Sequence, residues 1–145
     1  MDTDLGFLIV QIKQLSDRLF NKMLSERGLA SFNGAQGRIL IVLWNKGCQS
    51  IHELSLATTL APTSLTAMLD RLEKKGLITR KKSPKDRRKM LIAASEDSLK
   101  LKAEYLAIET TINGYFLSGF TSEETTHLLE DLTHLRQNIL TKGKL

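Results

Sequence analysis

The sequence predicts a mainly α fold of about six helices with one two-stranded β-hairpin. Three observations carry that prediction. Apolar residues recur at spacings of three and four through most of the 145 residues, the mark of helices that bury one face. The chain has only two prolines, Pro62 and Pro84. One stands where a helix would begin and the other in a polar turn, both places that tolerate a missing N–H. Ten Lys or Arg against two acids occupy residues 71–89, whereas the whole chain carries +5, so the remainder is net negative by three. The positive charge is therefore local, which suggests an anionic polymer or surface as partner.

Each element follows in order. Leu5, Leu8, Ile9, Ile12, Leu15, Leu19, Phe20 and Met23 predict a first helix, with Gly28 as its C-terminal stop. Asn33 is expected to cap a second helix running through Trp44 and ended by Gly47. Ser50-Ile51-His52-Glu53 has the form of a capping box, in which serine and glutamate satisfy each other's free backbone donors. A short third helix follows, from Ile51 to about Thr58. Pro62 then opens a fourth, with Leu65, Met68, Leu69 and Leu72 on one face and Thr63, Ala67, Asp70, Arg71 and Lys74 on the other; Gly76 closes it. Residues 77–82 and 89–93 read as two strands joined by a polar turn. Leu101, Tyr105, Ile108, Ile112 and Tyr115 predict a long helix broken at Gly119. Thr121 and Glu124 form a second capping box, opening a last helix with Leu128, Leu132, Leu135 and Ile139 on one stripe.

Composition bounds the function. One domain spanning 1–145 is expected at this length. Cys48 is the only cysteine, so neither an intrachain disulfide nor a zinc-finger ligand set can form, and a reducing cytoplasm fits. The charged N-terminus resembles neither a signal peptide nor a spanning helix, so no membrane role is expected. No metal or cofactor is expected either. His52-Glu53 lacks a second histidine four residues on, where Leu56 stands. His127 and His134 share a helix face without an accompanying carboxylate cluster and read as surface or interface residues. Gly34-Ala35-Gln36-Gly37 lacks the Lys-Ser/Thr of a phosphate loop. No constellation argues for an enzyme. Trp44, Phe32, Tyr105 and Tyr115 could line an effector cavity, but core packing is the favoured reading.

A short helix, a tight turn, a second helix with a polar face and a basic hairpin together make a winged helix-turn-helix. Such a second helix can enter a major groove about 12 Å wide, with its N-terminal residues at the base edges. A charge run is ordinarily a solvated face; this frame shifts the reading to nucleic acid. Two further readings stay open: a winged-helix protein–protein adaptor, and a non-specific binder of anionic surfaces.

The sequence resembles the MarR family of bacterial transcriptional regulators. The matching residues are Glu53-Leu54, the stretch from Thr66 through Leu72-Glu73-Lys74-Lys75-Gly76-Leu77-Ile78, then Asp86-Arg87-Arg88, Leu91 and Ser95-Glu96. The resemblance implies a winged helix-turn-helix over about 33–95 and dimerisation helices over about 4–28 and 96–141. It also implies a homodimer binding double-stranded DNA at a pseudo-palindromic operator, as a repressor released by a small-molecule effector or by oxidation. Carried over by position, Thr63, Ser64, Thr66 and Ala67 would face the major groove. Arg71, Lys74, Lys85, Asp86, Arg87, Arg88 and Lys89 complete the expected DNA-binding set, with Asp86 orienting a wing arginine. Leu5, Leu8, Ile9, Ile12, Leu128, Leu132, Leu135 and Ile139 form the expected dimer interface. The chain departs from the family pattern in two places. Ala67 stands where many relatives carry a larger polar or basic residue. The first helix also lacks the sensing cysteine of thiol-based members.

Overall fold

The computed structural model describes residues 4–29 and 34–145. Among them are six helices and three short strands: α1 (Leu5–Glu26), α2 (Gly34–Lys46), β1 (Gln49–Ser50), α3 (Ile51–Thr58), α4 (Pro62–Lys74), β2 (Ile78–Lys82), β3 (Met90–Ala94), α5 (Glu96–Phe116) and α6 (Ser122–Gly143). The mainly α fold and the hairpin are as the sequence predicts. The third strand is new. β1 pairs with β3 through Gln49↔Ile92 and Ser50↔Leu91, giving an antiparallel sheet of order β1-β3-β2. Two residues carry no readable alternation, so this strand exists only because the hairpin offers it an edge.

Local chemistry sets the element ends. The Asp4 carboxylate accepts from the Phe7 N–H at 2.9 Å and caps α1. Both capping boxes form, Ser50 with Glu53 and Thr121 with Glu124. Asn33, the expected cap of α2, lies outside the described residues. α4 begins differently: its N-cap is Ala61, which offers no side-chain acceptor, and Pro62 follows. No helix among the described residues is long and apolar enough to cross a membrane.

The chain divides into two compact units, 1–109 and 110–145, and α5 runs across the division. The core of the first unit gathers Leu24 of α1, Ile39, Leu40 and Leu43 of α2, Leu54 of α3, Leu65, Leu69 and Leu72 of α4, Ile78 and Ile92 of the sheet, and Tyr105 and Ile108 of α5. Tyr105 is the keystone of α5. Its ring stacks on Phe20 at 6.4 Å and tilts against Trp44 at 5.8 Å, and burial pushes its phenol up from the ordinary tyrosine range. The Trp44 indole N–H donates to the buried Ser98 hydroxyl at 3.0 Å. Of the four aromatic residues considered for an effector cavity, Tyr105 is thus core and Trp44 half-buried against it. Phe32 lies outside the described residues, and Tyr115 is exposed. Glycine at position 37 is a packing requirement: a Cβ there would sit 2.5 Å from Cε1 of Tyr105.

Two ion pairs hold α1 within this unit. Arg38 of α2 reaches Asp17 at 3.0 Å, and Arg27 at the C-terminus of α1 reaches Glu104 of α5 at 2.7 Å. Hydrogen bonding from Lys13, aided by Arg38, holds the Asp17 carboxyl below its ordinary value against the opposing effect of burial. The first half of α1 is otherwise bare. Leu5, Phe7, Leu8, Ile9, Val10, Ile12 and Leu15 are all exposed. In the second unit α6 has no buried residue at all.

Candidate nucleic-acid interface

The site is built from the turn between α3 and α4, from α4 itself and from the β2–β3 hairpin. Thr59 makes the turn in the left-handed region at φ +59°, an unusual place for a β-branched residue. Hydroxyl groups hold it there. Ser55 donates to the Leu60 carbonyl at 2.8 Å, Thr58 donates to the Leu54 carbonyl at 2.7 Å, and the Leu60 N–H donates to the Thr58 hydroxyl at 3.3 Å. Ala61 and Pro62 then start α4 with its first N–H groups uncapped by any side chain. Free N–H groups and the helix dipole favour an anion at that end.

Leu65, Leu69 and Leu72 bury one face of α4. Thr63, Ser64, Thr66 and Ala67 are exposed on the other, as the i, i+3, i+4, i+7 pattern requires. Thr66 is committed in one respect, since its hydroxyl donates to the Pro62 carbonyl at 2.9 Å. Arg71 and Lys74 are exposed in the later turns, where the C-terminal end of the helix dipole favours cations.

The hairpin turn is organised by Asp86. One of its carboxylate oxygens accepts from the Arg88 backbone N–H at 3.0 Å and from Arg88 Nε at 3.3 Å. The Lys89 N–H closes the turn on the Asp86 carbonyl at 3.0 Å. The structure therefore places Asp86 as a holder of the wing and of Arg88, whose side chain is still 92% exposed. Arg87, Lys85 and Lys89 are exposed beside it.

One member of the basic run turns inward. Arg80 follows Ile78 by two residues, so both side chains lie on the same face of β2. That face meets α4. Arg80 reaches Asp70 at 2.8 Å and Glu73 at 3.7 Å and is only 23% exposed. Its charge is spent inside the protein, joining the wing to the helix. Lys75 reaches Gln36 of α2 at 3.4 Å, and burial, helped by Arg71, lowers its ammonium from the ordinary range. The sequence reading counted both as surface charge; Lys75 is exposed, and Arg80 is the one that turns inward. The alternation with buried Ile78 was the signal available for Arg80.

The remaining candidates take other places. Glu53 is occupied in its capping box. Cys48 is exposed just before β1. His127 and His134 are exposed on α6. The expected interface residues Leu5, Leu8, Ile9 and Ile12 are exposed on α1, whereas on α6 Leu132 and Ile139 are exposed and Leu128 and Leu135 half-buried.

A model of the MarR family matches residues 32–90, the span from α2 to the start of β3. The organic hydroperoxide resistance transcriptional regulator of Bacillus subtilis is 35% identical over 104 residues, covering 72% of this chain and 69% of that protein. Escherichia coli MarR, solved as a cysteine-to-serine variant complexed with operator DNA, superposes with a TM-score of 0.80 at 26% identity, covering 92% of this chain and 94% of that one. The fold is also that of Bordetella bronchiseptica BpsR, whose DNA binding is regulated by 6-hydroxynicotinic acid; there the TM-score is 0.84 at 20% identity, over 94% and 95% of the two chains. A curated regulator so similar over more than two thirds of its length, with a family match across the helix-turn-helix and wing, shows that this chain belongs to the MarR family.

Proposed function

We propose that this protein is a homodimeric, cytoplasmic repressor of transcription that binds a pseudo-palindromic operator and is released by a small-molecule effector. It acts by binding and not as an enzyme. The observation that carries the reading is the division of the basic run. Arg80 pairs with Asp70 and Glu73, while Arg71, Lys74 and Lys75 stay exposed at the C-terminal end of α4 and Lys85, Arg87, Arg88 and Lys89 on the wing. Family membership supports the same reading.

In it, Thr63, Ser64, Thr66 and Ala67 meet base edges in the major groove. Arg71 and Lys74 lie along the phosphates, and Arg87 and Arg88 enter the minor groove or straddle the backbone, with Asp86 fixing Arg88. Phosphate contacts then supply most of the grip and the helix and wing the sequence preference. The unpartnered apolar stripe of α1 and the bare α6 call for a second copy, and two recognition helices so joined would enter grooves ~34 Å apart.

Selection from random duplex DNA, followed by fluorescence anisotropy on the enriched site, tests this. Enrichment of an inverted repeat, bound far more tightly than bulk DNA, is expected. Equal retention on mixed duplex and on anionic vesicles would favour the surface-binding alternative, although the wing tip lacks the aliphatic and aromatic residues that membrane insertion uses. Repeating the assay with phenolic acids and oxidants tests release.

A further inference from the structure

The groove-facing end of α4 carries side chains of one chemical kind. From Pro62 to Leu69 the exposed positions after the proline are Thr63, Ser64, Thr66 and Ala67. None has the paired donors that Arg and Lys present to guanine, or the donor–acceptor pair that Asn and Gln present to adenine. The helix offers methyl groups, on Thr63, Thr66 and Ala67, and short hydroxyls. Thr66 is narrowed further, because its hydroxyl hydrogen is directed to the Pro62 carbonyl at 2.9 Å. Only its lone pairs and its methyl remain for a partner, so it cannot donate to guanine N7 or O6. Asp70, the one acid on this part of the helix, has one carboxylate oxygen engaged by Arg80 at 2.8 Å. The first cation of the helix, Arg71, lies ~13 Å along the axis from Pro62 at the standard rise.

We infer that each operator half-site presents thymine C5-methyl groups to α4, and that sequence is read there by apolar contact with Thr63, Thr66 and Ala67 instead of by bidentate hydrogen bonds. This rests on the proposed DNA-binding function and names the chemistry of its ligand. Apolar contact to the thymine methyl is open to alanine and to the threonine methyl. The adenine paired with each thymine adds an N6 amine in the same groove, which suits a hydroxyl that can only accept.

The test removes single atoms from the DNA. In the selected operator, each thymine is replaced in turn by deoxyuridine, which deletes only the C5-methyl, and each guanine by 7-deazaguanine, which deletes only the N7 acceptor. Both changes lie in the major groove, so a wing in the minor groove does not respond to them. Anisotropy at fixed salt is expected to show thymines beneath α4 whose loss of a methyl weakens binding about fourfold each, the effect of one buried methyl-sized group. The 7-deazaguanine sites are expected to bind unchanged. Ala67→Gln, an exposed substitution, is expected to abolish the uracil effect at one position and to prefer adenine there. Binding insensitive to every uracil, or weakened by 7-deazaguanine instead, overturns the inference and leaves the proposed function standing. If selection enriches no sequence, the proposed function fails first and this inference with it.

Discussion

Arg87 and Arg88 are exposed at the wing; among the described residues no acid forms an ion pair with Arg87, and Asp86 merely steadies Arg88. Replacing either by Ala is expected to weaken specific binding by about 1–3 kcal/mol if it reads a base edge; anisotropy on the selected operator showing less than a twofold change would remove the wing assignment. Thr59 makes a different kind of demand. Its left-handed backbone costs about 1–2 kcal/mol for an ordinary residue, while glycine there would add about 0.5–1 kcal/mol of backbone entropy. Thr59→Gly is therefore expected to raise stability modestly, read as a higher urea midpoint. A lower midpoint would show that the hydroxyl at Thr59 matters more than the strain. Gly37→Ala should act oppositely. The gain in helix propensity is about 1 kcal/mol, but a Cβ 2.5 Å from the buried Tyr105 ring forces the packing of α2 and α5 apart, an overpacking effect of about 1–3 kcal/mol. Neither residue announced this in the sequence. Thr59 looked like ordinary loop, and Gly37 resembled one more small residue in a helix start.

At the level of elements, the hairpin and α4 form one device because Arg80 ties them together. This can be separated from a direct DNA contact by salt dependence. A side chain that neutralises a phosphate contributes about one unit to the slope of log affinity against log salt. Arg87→Ala is expected to reduce that slope. Arg80→Met should leave the slope unchanged while weakening binding, by about fivefold if the pair is worth about 1 kcal/mol, because the wing loses its position and not its charge. A slope that falls equally in both variants would place Arg80 on the DNA after all. Elements with strong end signals were legible: α3 spans Ile51–Thr58 behind its capping box, α4 starts at Pro62 and stops just before Gly76, and α6 opens behind Thr121. The two-residue β1 was not, since its partner β3 is some forty positions away and its stability comes entirely from that pairing.

The whole molecule has apolar surface that one chain leaves uncovered. The first half of α1 exposes its leucines and isoleucines, and α6 buries nothing. A helix of that length draws most of its stability from burying an apolar face, so a second copy is the expected cover. Leu132 and Leu135 replaced together by Asp should leave the isolated chain folded, because Leu132 is exposed and Leu135 half-buried, yet should dissociate the dimer by placing ionised groups in an apolar seam. Sedimentation equilibrium showing an unchanged dimer would exclude α6 as the interface.

Much of this was decided locally. Helix positions, capping boxes, the hairpin and the family pattern all rest on residues a few positions apart, whose periodicity and backbone chemistry are visible in the chain itself. What the tertiary structure alone decided is which charges of the basic run are available. Ten cations stand in nineteen residues, and only folding shows that Arg80 turns to Asp70 and Glu73. The physical reason is that a charge's use depends on its nearest counter-charge in space, and the acids of α4 reach Arg80 only once β2 packs against that helix.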